Sequence, residues 1–378
     1  MVSAIVTDSD RAHLRRAIDL AREGRGRVSP NPLVGAVVVR ADEVVGEGFH
    51  AELGGAHAEV AALADCRARG LDPAGATLYV SLEPCAHHGR QPPCTDAILE
   101  AGVARVVIGS EDPSEKASGR GPGILRDGGV EIAFADGGEA TVARLLNQAF
   151  RKHARTQRPL VMLKSALSLD GRTATASGDS RWISGPESRA LVHRWRAQVD
   201  AIAIGIGTAL ADDPLLTARD LPVAPARQPI RVVFDAEARL PLDSQLVRTI
   251  AEAPLIVVAS PAAPDAGVAA LRDAGADVLI LAGDRRERVT AALAELGRRQ
   301  LTAVMLEGGA VLAGAFLDAG QIDELRLFIA PLLLGGEASP SLLFGEGAKE
   351  VEAAERALAM DWERSGEDLL IRARLREW

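Results

Sequence analysis

His57-Ala58-Glu59, then Pro84-Cys85, then Cys94 after eight intervening residues, is the stretch that decides how the first half of this chain folds and what it can hold. One neutral imidazole and two cysteine thiolates balance Zn²⁺ and leave a fourth tetrahedral position open, the arrangement that separates catalytic from structural zinc sites. A zinc ion held in this way makes hydroxide available near neutral pH. Glu59, which is not a ligand, can carry protons from an attacking water to a leaving amine. That chemistry needs all four side chains at one point, and local patterning says how they meet. Apolar Val60, Ala61, Leu63 and Ala64 lie between His57 and Arg69, and Gly70 follows, so the run reads as a helix. Residues two apart do not share a helix face, so His57 and Glu59 belong in its first turn, with the metal just beyond the N-terminus. Thr77 to Leu82 is a strand pattern ending at Glu83-Pro84, and Cys94 opens a short helical run through Ala97, Ile98 and Ala101 that Gly102 closes. Cys94 then sits near a helix start, where the dipole favours thiolate, and Cys85 is a second candidate for such a place. Cys66 falls inside the helix after His57 without a partner at ligand spacing and reads as small core filler.

Zinc-dependent nucleobase deaminases carry H-x-E followed by P-C-x-x-C, and this chain departs from that pattern in the wider cysteine gap. The alternatives are unrelated residues that meet this spacing by accident, or a structural zinc clamp. The clamp would need a fourth protein ligand, for which His87 and His88 inside the cysteine loop are the candidates.

Composition sets the outer limits. A chain of 378 residues, 47% of them hydrophobic, is globular and long enough for two domains with separate cores. Three cysteines make no disulfide framework, which points to a reducing cytoplasm. Met1 to Asp10 lacks a basic segment followed by an apolar core, and no apolar run approaches membrane-spanning length, so neither a leader nor a membrane is expected. A net charge of −9, a pI near 5.4 and only 3% aromatic residues argue against nucleic acid as a partner.

The first half alternates helix and strand. Asp10 to Arg22 is a helix capped by Ser9 or Asp8, Leu33 to Arg40 and Val44 to Phe49 form a hairpin, Ala104 to Ile108 is another strand, and Thr141 to His153 is one amphipathic helix with Val142, Leu145, Leu146, Ala149 and Phe150 on its apolar face. Thr156 to Pro159 reads as a linker, which gives domains 1–155 and 159–378. In the second half, strands are expected at Leu160 to Leu167, Ala201 to Ile206, Ile230 to Asp235, Leu255 to Ala259, Val278 to Leu281, Ala303 to Leu306, Glu324 to Ile329 and Leu369 to Arg374. Helices intervene at Pro186 to Gln198, Arg285 to Arg299 and Ala310 to Ala319, which makes a second α/β domain.

Several blocks share one order with a known family. Ser29-Pro30-Asn31-Pro32-Leu33-Val34-Gly35, His57-Ala58-Glu59, Glu83-Pro84-Cys85-Ala86-His87-His88-Gly89-Arg90 and Pro92-Pro93-Cys94 are followed by Lys164, Ser168-Leu169-Asp170-Gly171-Arg172, Ser180-Arg181-Trp182-Ile183, Leu210-Ala211-Asp212-Asp213-Pro214 and Glu307-Gly308-Gly309. Together they resemble the bifunctional riboflavin-biosynthesis deaminase/reductases over nearly the whole chain, and the long cysteine gap belongs to that family. The resemblance implies a cytidine-deaminase-like zinc domain followed by a dihydrofolate-reductase-like domain, in a homo-oligomer. It implies hydrolytic removal of the 2-amino group of 2,5-diamino-6-(5-phosphoribosylamino)pyrimidin-4(3H)-one, then NADPH-dependent reduction of the ribosyl group to ribityl. By position it assigns His57, Cys85 and Cys94 to zinc, Glu59 to proton transfer, and Asn31, His50, His87, Arg90 and Asp112 to the deaminase substrate. Lys164, Ser180, Arg196, Arg219 and Glu307 would face the reductase substrate, and Trp182, Thr208, Asp212, Gly308 and Gly309 the NADPH.

First principles say less about the reductase half, because the cofactor carries the electrons and no nucleophile need appear. Gly205-Ile206-Gly207-Thr208 follows a strand, and Gly308-Gly309 lies between a strand and a helix whose start can hold an anion. Neither is the G-x-G-x-x-G fingerprint. Family members can carry a cofactor-touching serine where this chain has Ala236. Two other readings compete with the two-step enzyme: a deaminase of free nucleosides or nucleic-acid bases with an unrelated second domain, and a non-catalytic zinc protein in which Glu59 is idle.

Overall fold

The computed structural model describes residues 6–87, 91–115 and 117–378. The chain divides into two compact units, Met1–Thr156 with Trp378, and Gln157–Glu377. The first contains, in order, α1 (Asp8–Ala21), β1 (Gly35–Arg40), β2 (Glu43–Phe49), α2 (Ala58–Ala68), β3 (Thr77–Val80), α3 (Cys94–Glu100), β4 (Arg105–Ile108), α4 (Arg120–Asp127), β5 (Glu131–Phe134), α5 (Gly137–Leu146) and α6 (Gln148–Thr156). Its sheet runs β2-β1-β3-β4-β5, antiparallel at β2/β1 and β1/β3 and parallel from β3 to β5. Val38, Leu78 and Val106 on one face pack with Ala62, Leu63 and Cys66 of α2, Ile98 of α3 and Leu125 of α4. Val37, Tyr79 and Val107 on the other face pack with Leu14, Ala17 and Ile18 of α1 and Ala143 of α5. Alternate residues of each strand thus feed two cores, as the period of a strand requires. Cys66 is fully buried there, as a filler should be.

Helix α2 lies hard against β2. A Cβ on Gly48 would stand 2.4 Å from the backbone nitrogen of Ala62, so no larger residue fits at that crossing. This close approach fixes where the start of α2, and with it His57, meets the ends of the strands.

Three local expectations need correction. The cap of α1 is Thr7, neither Ser9 nor Asp8. Its hydroxyl accepts from Asp10 N while the Asp10 carboxylate accepts from Thr7 N, a capping box that starts the helix earlier. The run 141–153 is two helices, α5 and α6, separated at Asn147. That side chain bonds across the domain instead, accepting from Leu33 N at 2.8 Å and donating to Leu33 O at 2.9 Å. Val142, expected on the apolar face, is 40% exposed, and Ala140 and Ala143 face the core.

The second unit contains β6 (Leu160–Leu167), α7 (Pro186–Arg196), β7 (Ala201–Gly205), α8 (Ile206–Asp212), β8 (Ile230–Phe234), α9 (Gln245–Arg248), β9 (Leu255–Ala259), α10 (Asp265–Asp273), β10 (Asp277–Ile280), α11 (Arg285–Arg298), β11 (Ala303–Leu306), α12 (Ala310–Asp318), β12 (Glu324–Ile329), β13 (Ala359–Ser365) and β14 (Asp368–Arg374). The sheet order is β10-β9-β8-β7-β11-β6-β12-β14-β13, parallel except at β12/β14 and β14/β13. Val161, Ala203, Val232 and Val304 of the parallel strands pack beneath Val289 and Leu293 of α11 and Phe316 of α12. Where a parallel sheet has helices on its faces, the loops at the strand ends are free to form a cleft. Among the described residues, no helix is long and apolar enough to cross a membrane.

Two candidate active sites

His57 is the cap residue of α2, and Glu59 lies in its first turn. Cys94 is the first residue of α3, preceded by Pro93. Cys85 lies in the loop after β3, not at a helix start, but its Sγ accepts the Cys94 backbone N–H at 3.3 Å, so the beginning of α3 points at this sulfur as well. His57 Nδ1 stands 3.2 Å from Cys94 Sγ and 3.5 Å from Cys85 Sγ. The three donor atoms all lie within 4.8 Å of one another. A tetrahedral zinc ion sets sulfur and nitrogen ligands roughly 3.5 Å apart, given bonds of about 2.3 and 2.0 Å, so both the donor set and its spacing fit zinc. The Cys94 thiol donates to Cys85 and His57 lies beside it, which brings the Cys85 thiol down to about 4. The same pairing pushes Cys94 up.

Glu59 is buried against this cluster, 3% exposed. Burial, with the neighbouring Cys85 thiolate, pushes its carboxyl up to about 7, and the Cys94 thiol reaches it. A buried acid beside three metal donors, and outside their number, is placed to hold and return a proton.

Asn31 and His50 are brought to the same place. The His50 ring meets His57 edge to face at 5.4 Å between centroids. Its Nδ1–H donates to Ala56 O at 3.0 Å, leaving Nε2 to accept from Asn31 Nδ2 at 3.0 Å. Burial holds the His50 pKa down, consistent with this neutral tautomer. Asp112 is 8% exposed, and its Oδ1 accepts from Ser114 N at 2.8 Å. Burial raises its pKa, while His87 lies close enough to oppose that rise. His87 itself is exposed. Arg90, expected at the substrate, and His88, the other candidate fourth ligand, lie outside the described residues.

All ten residues expected in the reductase site line one cleft of about 1030 Å³ in the second unit. At its centre Arg196 grips Glu307 with two hydrogen bonds, Nε to Oε1 at 2.8 Å and Nη2 to Oε2 at 3.0 Å, and Lys164 Nζ stands 3.8 Å from the same carboxylate. Burial alone would raise the Glu307 pKa, but the two cations overcome it and hold the carboxyl at about 2. Burial in turn lowers the pKa of Lys164. Gly308 and Gly309 precede α12, and Gly309 N donates to Thr208 Oγ1 at 3.2 Å, which joins the starts of α12 and α8. Trp182 is 68% exposed, with the Arg189 guanidinium 4.7 Å above its ring. Asp212 pairs with Arg181 at 3.8 Å. Ser180 is half-buried, while Arg219 is exposed and its Nη1 donates to Thr217 Oγ1 at 3.5 Å. Two further basic residues line the cleft that sequence reading did not single out, Arg189 and His193. With Arg196 they recur at i, i+4 and i+7 on α7, a stripe that by default reads as solvated. Ala236 is not among the lining residues.

Comparison with known proteins agrees with both halves. Residues 7–110 match the cytidine and deoxycytidylate deaminase zinc-binding region, and residues 159–371 match the RibD C-terminal domain. The riboflavin biosynthesis protein RibD of Actinobacillus pleuropneumoniae is 41% identical over 97% of this chain and 95% of its own. That of Aquifex aeolicus is 38% identical over 97% and 99%. Among solved structures, one form of Acinetobacter baumannii RibD superposes with a TM-score of 0.85 at 36% identity, covering 98% of this chain and 99% of that one. A diaminohydroxyphosphoribosylaminopyrimidine deaminase/5-amino-6-(5-phosphoribosylamino)uracil reductase from Thermotoga maritima gives 0.83 at 34% identity, over 97% and 99%. With a deaminase zinc region and a reductase domain in one chain, and relatives matched along their full length, this protein belongs to the RibD family of bifunctional deaminase/reductases of riboflavin biosynthesis.

Proposed function

We propose that the N-terminal domain hydrolyses the exocyclic 2-amino group of 2,5-diamino-6-(5-phosphoribosylamino)pyrimidin-4(3H)-one. The C-terminal domain then reduces the ribosyl group of that product with NADPH, giving 5-amino-6-(5-phosphoribitylamino)uracil. The observation that carries this reading is the pairing, in one chain, of a His57/Cys85/Cys94 cluster beside buried Glu59 with a separate cleft built on Glu307, Arg196 and Lys164.

In the first step, zinc on His57, Cys85 and Cys94 supplies an activated water when bound. Glu59 takes the proton that water gives up and returns it to the departing amino nitrogen, so ammonia leaves neutral. Asn31, oriented by His50, and Asp112 read the donor and acceptor edge of the pyrimidine, while His87 and Arg90 suit its phosphate. In the second step, NADPH supplies hydride when bound. The Gly308-Gly309 backbone and the Thr208 hydroxyl suit its phosphates at the start of α12, with Trp182 and Asp212 along the same cleft. Glu307 and Arg196 orient Lys164, whose ammonium can give a proton to the ribose oxygen as the adjacent carbon gains hydride. Ser180 and Arg219 face the rest of that substrate. Met360 and Trp362, each 68% exposed on the edge strand β13, are consistent with a homo-oligomer, and the free thiols suit a reducing cytoplasm.

Mass spectrometry of products from the purified, zinc-loaded protein tests the reading. Amino-to-oxo conversion is expected without NADPH, and the ribityl product only with it. No deamination by zinc-loaded protein would reject the substrate.

A further inference from the structure

One buried acid beside the zinc ligands has no part in the chemistry above. Glu83, 4% exposed, stands two residues before Cys85. Its backbone N–H donates to Ser110 O at 2.9 Å, and its Oε2 accepts from Asp112 N at 3.3 Å, so it grips the segment after β4 twice. Oε1 has no hydrogen bond of normal geometry among the described residues; burial raises the carboxyl above its ordinary pKa, although the backbone amides of Asp112, Gly119 and Gly121 face it and oppose that rise. The start of α4 is pressed onto the same spot: a Cβ on Gly121 would stand 2.1 Å from Pro84 O. Three segments therefore converge on one carboxylate: the zinc-ligand loop at 83–85, the Asp112 loop at 110–112 and the α4 start at 119–121. A buried carboxylate is a costly way to join loops that apolar packing could join. What it adds is direction, since hydrogen bonds fix the Asp112 backbone relative to Cys85 where apolar contact would let it slide.

We propose that Glu83 is a positioning residue for deamination, fixing the Asp112 loop against the zinc-ligand segment so that Asp112 meets the pyrimidine in register with the metal. The proposal rests on the reading that Asp112 contacts substrate.

The test is a cycle of full-length, zinc-loaded variants: Glu83→Gln, Asp112→Asn and the pair together, assayed for deamination of the diaminopyrimidine phosphoribosyl substrate. Glu83→Gln keeps the size of the side chain but replaces one of its two acceptor oxygens with an amide donor. KM is expected to rise about tenfold, with zinc content, kcat and NADPH-dependent reduction little changed. In the Asp112→Asn background, adding Glu83→Gln should change KM by less than about twofold, because the position of Asp112 no longer matters. Glu83→Met, of similar length but without an acceptor, is the second variant and should raise KM at least as much. An unchanged KM in the single Glu83 variants, or equal effects in both backgrounds, would reduce Glu83 to a structural cap and overturn the proposal. An Asp112→Asn variant with wild-type KM would remove the reading of Asp112 and the proposal together. An impaired Asp112→Asn beside a normal Glu83→Gln would remove the proposal alone.

Discussion

Two buried glutamates show how differently the two sites treat charge. Glu59 lies beside the Cys85 thiolate, and burial with that thiolate pushes its carboxyl up to about 7. The Glu307 side chain is less enclosed, 8% exposed in its cleft, and Arg196 at 2.8 Å and Lys164 at 3.8 Å hold it at about 2 against the effect of burial. The same side chain is thus set to exchange a proton near neutral pH in one domain and to stay charged in the other. The N-terminal centre collects donors that a cation must balance. The C-terminal cleft balances its own charges and leaves backbone amides at the start of α12 for an anionic ligand.

Removing each glutamate should break the comparison at its strongest point. Glu59→Gln is expected to lower deamination by about 10²- to 10⁴-fold while zinc, measured by atomic absorption, stays bound. Glu307→Gln leaves Arg196 and Lys164 buried without their counter-charge, at a cost of about 3–5 kcal/mol, read as earlier unfolding of the C-terminal domain in denaturant. Glu59→Gln should show no such loss, because a desolvated acid is replaced by a neutral amide. Acid sharpens the contrast. A carboxyl held below its ordinary 4.5 stabilises the fold fully above that pH and loses its contribution as pH falls toward about 2, so the gap between wild type and Glu307→Gln should narrow over that window. Lys164→Ala should slow reduction by about ten- to a hundredfold with deamination unchanged in the same preparation. The smallest effect belongs to the cradle proposed for NADPH: Thr208→Val removes the acceptor of Gly309 N–H and should raise the NADPH KM about two- to tenfold.

Much of the zinc centre was legible in the sequence because its residue types are chemically specific and one helix turn explains the spacing of His57 and Glu59. The role proposed for Glu83 was not, since Asp112, Gly119 and Gly121 reach it through tertiary packing with no periodicity between them. Helix α4 was missed for a related reason: Gly121, Pro122 and Gly123 break every local helix signal, yet a close approach to Pro84 requires the glycine. At Asn147 the opposite happened, as an unbroken apolar pattern concealed a side chain committed to Leu33. Strand β13 went unread because all its residues face outward except Ser365, leaving no alternation to detect. In the reductase half, family position named residues that line one cleft, whereas composition named none, because two glycines after a strand and a basic helix face have commoner explanations than a cofactor.

Independence of the two sites is tested most directly by giving zinc-loaded Glu59→Gln the diaminopyrimidine substrate and, separately, the already deaminated intermediate, each with NADPH, and identifying the products by mass. The expected result is no ribityl product from the first and a wild-type rate from the second. Loss of both reactions in the folded variant, or deamination at the wild-type rate, would contradict it.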